Sequence, residues 1–171
     1  MKKILLVLFI LLTALNISYS QDMNLPPPVD NEFLKACVGD WVSEPYEFYG
    51  MKWQDEISIK WILNNQFLEM RGISKTIDGS FSFNVMSIIT TDKDGNFKSW
   101  GFDDWGITSA GSSTGKIEGM KLDLEGKSDW GSSKGTMTLE GNKMFQDFIF
   151  DTKDETGKTV SQSIKLVYNK K

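Results

Sequence analysis

The chain predicts an all-β domain, an up-and-down antiparallel β-barrel of about ten strands with a short N-terminal helix. Three observations carry that expectation. From Trp41 onward, apolar and polar residues alternate with period two in segment after segment. Short turns rich in Gly, Asn and Asp separate those segments. No stretch between them is long enough for the crossover that a Greek key requires. A two-sheet sandwich gives similar signals and stands as the alternative.

The elements follow in order. Residues 1–20 open with Lys2 and Lys3, continue through an apolar run to Leu12 and end in Ser18-Tyr19-Ser20. A basic start, a short apolar stretch and a small-x-small end form a secretory signal peptide. The run is shorter than the ~20 residues that span a bilayer, which disfavours a membrane anchor. Leu34-Lys35-Ala36-Cys37 imitates a lipoprotein signal but lacks an apolar run before it. The expected location is therefore outside the cytoplasm, periplasmic or extracellular. Residues 21–30, with Pro26-Pro27-Pro28, read as a stiff extended leader. Residues 31–171 read as the single domain.

Asn31 caps a helical turn over Glu32–Cys37, with Phe33, Leu34 and Cys37 on one face and Gly39 ending it. Residues 41–49 form the first expected strand. Residues 55–63 form the second, with Ile57, Ile59, Trp61 and Leu63 on one face, before a tight turn at Asn64-Asn65. Residues 66–76, 81–90 and 97–102 follow, the fourth with Phe81, Phe83, Val85 and Ile89 on one face. Residues 108–116 are rich in small side chains. Residues 119–126, 135–139, 143–151 and 161–168 complete the ten.

Composition excludes several function classes. The chain has 171 residues and no histidine, which removes Ser-His-Asp and Cys-His catalysis, histidine-ligated haem and the usual zinc sites. Cys37 is a lone cysteine, so no internal disulfide forms, and it reads as a small buried apolar residue. The formal net charge is −4, and loss of residues 1–20, with two lysines and no acid, leaves −6. An acidic domain without a basic run is a poor partner for nucleic acid or anionic membranes. Asp92-x-Asp94-x-Asn96 lacks the Gly and the bidentate acid of a calcium loop. Gly115-Lys116, Gly126-Lys127 and Gly157-Lys158 lack the remaining positions of a phosphate loop. No cofactor or metal site is expected, and no enzyme motif is present. The oligomeric state is left open by the sequence.

A wider pattern carries a resemblance. Gly39-Asp40-Trp41 after a short helix resembles the opening of the calycin barrels, which include lipocalins and fatty-acid-binding proteins. In those, the Trp packs across the base. Leu34-x-x-x-x-Gly39-x-Trp41, Trp61-x-Leu63, Phe67-Leu68, Trp100-x-Phe102-Asp103 and Gly106 resemble a bacterial family known as domain of unknown function 1579. That resemblance covers most of residues 33–170. It implies an exported lipocalin-like barrel and offers no activity.

The aromatic inventory points to an apolar small-molecule ligand. Inward aromatics in a barrel fill it or line a pocket. The candidate ligand-binding residues are Trp61, Phe67, Glu69, Arg71, Phe83 and Trp100. Trp61 is the expected pocket wall. Glu69 and Arg71 share one face of a strand with Phe67, and an inward Arg71, the only arginine beside 18 lysines, would orient a carboxylate. Leu68 and Met70 on the other face are also apolar, so the inward register stays open; an exposed ion pair is the competing reading. Asp103-Asp104 read as a solvated turn or as paired acids for carboxylate chemistry. A ligand-free interaction or structural barrel is the alternative function.

Overall fold

The computed structural model describes residues 25–171, so the expected signal peptide lies outside the described residues. The elements are helix α1 (Glu32–Cys37) and strands β1 (Gly39–Ser43), β2 (Tyr46–Phe48), β3 (Met51–Ile62), β4 (Phe67–Thr76), β5 (Ser82–Thr91), β6 (Phe97–Asp103), β7 (Gly111–Glu118), β8 (Lys121–Ser128), β9 (Gly131–Glu140), β10 (Lys143–Lys153) and β11 (Thr159–Lys170). Every strand from β3 to β11 pairs antiparallel with its neighbours in sequence. Strand β1 pairs with both β11 (Trp41↔Lys170) and β3 (Trp41↔Ile57), closing a ten-stranded barrel. One sheet closed on itself removes the sandwich alternative and leaves no long open edge.

Strands β3 and β9 each begin four residues before expectation, at Met51 and Gly131, and two further boundaries differ for local reasons. The first strand is broken at Glu44-Pro45; both pieces pair with β3, but only the first, β1, also pairs with β11. Proline has no N–H to give to a ladder. Before β7 the chain makes a 3-10 turn, Gly106–Thr108, so that strand begins at Gly111. Tyr49 and Gly50, both at positive φ, turn the chain from β2 into β3.

One end of the barrel is closed and packed. Asn31 Oδ1 accepts the Leu34 N–H at 3.0 Å and caps α1. The helix buries Phe33, Leu34 and Cys37 against the barrel floor. Trp41 is fully buried there, its indole N–H donating to the Cys37 carbonyl at 2.9 Å, with the Lys170 ammonium 5.0 Å over its ring. Leu68, Phe97, Leu122, Leu139 and Met144 complete the floor. The proline leader lies against the β3–β4 turn. Gln66 Nε2 donates to the Pro26 and Pro27 carbonyls at 3.1 and 2.8 Å, and Val29 donates to the Asn65 carbonyl at 3.0 Å.

Barrel curvature needs glycine in the wall. Gly115 and Gly135 flank Leu124 across three strands. A Cβ on Gly135 would lie 2.1 Å from the Asp147 carbonyl oxygen and 2.4 Å from the Phe148 ring. Backbone and ring approach that closely only because no side chain intervenes.

Candidate functional site: the open half of the barrel

Above the packed floor the interior is a cavity of about 560 Å³, open at the end away from α1. Its two walls differ. On β6 to β9 the inward rows are Ser99–Ser113–Gly126–Ser133 and Gly101–Gly111–Ser128–Gly131. These small residues form a flat, weakly polar wall. Facing it are Ile57, Met70, Val85, Phe148 and Phe150. At the mouth five rings form a chain: Trp53–Phe83 at 5.8 Å, Phe83–Trp105 at 4.6 Å, Trp105–Trp130 at 5.8 Å, and Phe81 against both Trp53 and Trp105. Trp105 and Trp130 remain about half exposed, so apolar rings stand in solvent at the entrance.

The cavity holds one deeply buried acid. Asp55 belongs to the inward row of β3 with Trp53, Ile57 and Ile59. Its Oδ2 accepts the Tyr168 hydroxyl at 2.6 Å and its Oδ1 the Tyr46 hydroxyl at 2.9 Å. Its N–H donates to Ser43 Oγ at 2.8 Å, fixing the backbone beneath it. Burial and the neighbouring Asp55 charge push both phenols far above their ordinary range, so they stay protonated donors. A second acid, Asp103, sits at the mouth, where it accepts the Trp105 N–H at 2.9 Å and the Ser109 hydroxyl.

A larger hollow, about 730 Å³, lies on the outer face of β6 to β10. Lys98, Lys116 and Lys134 alternate there with Glu118, Asp123 and Glu125. Mixed charge on outward rows without an aromatic anchor describes a solvated saddle in the sheet, and the smaller interior cavity is the better candidate.

The six sequence-predicted site residues divide. Phe83 lines the cavity. Trp61 is on the inward row but packs against the floor below the cavity. Phe67, Glu69, Arg71 and Trp100 are on the outer face, because the inward row of β4 is Leu68, Met70, Gly72, Ser74 and Thr76. Leu68 is completely buried, and that fixes the register. Arg71 donates to Glu69 at 2.8 Å with Lys60 3.2 Å away, an outer ion-pair cluster in which Arg71 first and Lys60 second hold the Glu69 carboxyl below its usual range. The inward arginine is therefore corrected to an exposed one. Beside it, Met86↔Phe102 and Ile88↔Trp100 pair across β5 and β6 and make an outer apolar patch. Trp100 and Phe102 are 43% and 44% exposed there. Asp55 was legible in the same alternation that places Ile57 inward. Tyr46 reaches it through the local β2–β3 hairpin, whereas Tyr168 had no such signal, since only the closure of β1 between β3 and β11 brings it there.

No family model matches the chain, and no curated relative matches it. Among solved structures, the crystal structure of Rv2717c from M. tuberculosis is similar, with a TM-score of 0.65 over 82% of this chain and 98% of that one. The likeness is one of fold. At 12% identity it carries the barrel architecture and nothing about the site. Among the described residues no helix is long and apolar enough to cross a membrane.

Proposed function

We propose that this protein is an exported binding module, related to the domain of unknown function 1579 family, that holds a small amphipathic molecule in the open half of its barrel. The observation that carries the reading is the contrast between the two halves. The floor is packed by α1, Trp41 and Leu68, while the upper half keeps about 560 Å³ empty beneath an aromatic rim. Interiors pack to high density unless something else occupies the space. The export half of the proposal rests on the secretory pattern of residues 1–20.

Binding is favoured over carboxylate catalysis by how the two interior acids are held. Asp55 commits both oxygens to tyrosine hydroxyls, and Asp103 accepts from Ser109 and Trp105. Neither is arranged as a proton carrier aimed at a substrate. The outer patch of Met86, Ile88, Trp100 and Phe102 favours a second reading, a protein-interaction face.

The test is a titration with the neutral fluorophore N-phenyl-1-naphthylamine, beside native mass spectrometry of protein expressed from the full 171-residue chain. Saturable binding that Ser113→Trp abolishes, by filling the small-residue wall, supports the reading. Absence of binding by the wild type, or binding unchanged in Ser113→Trp, overturns it and shifts attention to the outer patch.

A further inference from the structure

The interior has a definite electrostatic sign. The inward rows of β3 to β10 contain no lysine or arginine. Lys170 ends the inward row of β11, but it is held at the closed end, over Trp41 and 3.4 Å from the Ala36 carbonyl. Lys127 borders the mouth on the outer, exposed row of β8. Arg71 is outside. The charged groups that belong to inward rows beside the cavity are Asp55, deep, and Asp103, at the entrance.

The partners of Asp55 are neutral. Two tyrosine hydroxyls supply its hydrogen bonds without supplying a countercharge. A buried charge is stabilised most by an opposite charge, and none of the described residues in contact with Asp55 provides one. The ring chain of Trp53, Phe83, Trp105 and Trp130 presents π faces along the way in, and such faces attract cations. The Ser and Gly wall adds neutral acceptors and no positive group.

We propose that the cavity selects an apolar amine, an aromatic or alkyl body with a cationic nitrogen, and discriminates against carboxylates such as fatty acids. The proposal deepens the binding reading and rests on it. The body of the ligand lies between the aromatic rim and the flat small-residue wall. Its ammonium approaches Asp55, with Asp103 and the rings guiding entry.

Calorimetric titration of the full protein with three probes that share one ring separates the two claims: 1-naphthylmethylamine, 1-naphthalenemethanol and 1-naphthoate, all at pH 7. The expected order is amine, alcohol, carboxylate, with at least about tenfold between the first and the last for a charge brought within several ångströms of a buried carboxylate. Asp55→Asn, which preserves shape, is expected to bring amine and alcohol to within about threefold of each other. If Asp55→Asn does not fold, Asp103→Asn at the mouth is the second variant, and it is expected to weaken the amine without weakening the alcohol. Naphthoate binding as tightly as the amine overturns the amine proposal and leaves the binding module standing. So does an amine preference that survives whichever variant folds. Failure of all three probes overturns the binding reading itself.

Discussion

Tyr168→Phe removes one oxygen atom and tests how the interior acid is held. The Tyr168 hydroxyl donates to Asp55 Oδ2 at 2.6 Å in a fully buried setting, while Tyr46 donates to Oδ1 at 2.9 Å from a half-buried position. Hydrogen bonds to charged groups contribute roughly 1.5–3 kcal/mol when the partner would otherwise be left buried and unsatisfied. Tyr168→Phe is therefore expected to cost about 2 kcal/mol, or about 4–8 °C in Tm for a domain of this size. Tyr46→Phe is expected to cost about 1 kcal/mol, because that hydrogen bond is longer and only partly buried. The double variant strips the carboxylate of both donors and is expected to exceed the sum of the singles by at least about 0.5 kcal/mol. The assay is urea unfolding followed by tryptophan fluorescence, with the midpoint read at constant m. The pH dependence gives an independent sign. Both phenols titrate above their ordinary value in the folded state, burial being the first cause and the Asp55 charge the second. The stability they contribute is whole below about pH 10 and is lost as pH rises above it, where the unfolded chain sheds those protons first. The gap between wild type and Tyr168→Phe is accordingly expected to narrow above pH 10. A Tyr168→Phe midpoint equal to wild type, or a gap that widens with pH, would refute the reasoning.

Other expectations follow from the same packing. Burial pushes the Cys37 thiol up to about 12, so it should not react with a disulfide reagent at pH 8 until urea unfolds the chain; rapid labelling of the folded protein would contradict the packed floor. Its contribution is present below the ordinary thiol pKa and lost as pH climbs towards 12, so Cys37→Ala should flatten the alkaline side of the stability curve. Gly135→Ala drives a Cβ to within 2.1 Å of the Asp147 carbonyl and should cost at least about 2 kcal/mol by thermal denaturation, whereas a neutral effect would show that the wall can relax. Arg71→Ala removes an exposed pairing with Glu69 and should leave the urea-unfolding midpoint and probe binding unchanged. A large loss of binding in that variant would restore an interior role for Arg71.

The barrel was legible because its signals are local. Ile57 and Ile59 declare the buried face of β3 within one strand, Asn64-Asn65 declares the turn, and Asn31 with Phe33 and Leu34 declares the cap and the plug. The strand break at Pro45 is equally local, although residues 41–49 read as one strand. The site was less legible because its signals are not local. Strand β4 is apolar on both faces, and its register is decided by neighbours far along the chain. On the outer side Glu69 pairs with Ile88, which pairs in turn with Trp100, while on the inner side the floor claims Leu68. Tyr168 meets Asp55 across 113 positions of sequence, which no periodicity within a strand can foresee.

The distribution of side-chain size argues that the open half is maintained against stability. Rows such as Ser99–Ser113–Gly126–Ser133 contribute almost no apolar burial where the floor rows supply Leu122, Leu139 and Met144. Replacing these inward-facing serines by valine or leucine would add roughly 25 cal/mol for every Å² of apolar surface removed from water. Such stabilising replacements are commonly available to a chain, and their recurrent cost is function where a site needs the space. Asp55 sharpens the point. A buried acid whose donors are both neutral is a poor contributor to stability beside an apolar pair of the same shape. A barrel shaped for stability alone would fill the upper half with aliphatic side chains and replace that acid. Small residues, an uncompensated carboxylate and an exposed aromatic rim occur together on one side of the floor. That combination is what the proposed amine site requires: room for an apolar body, a carboxylate without a countercharge and rings at the entrance.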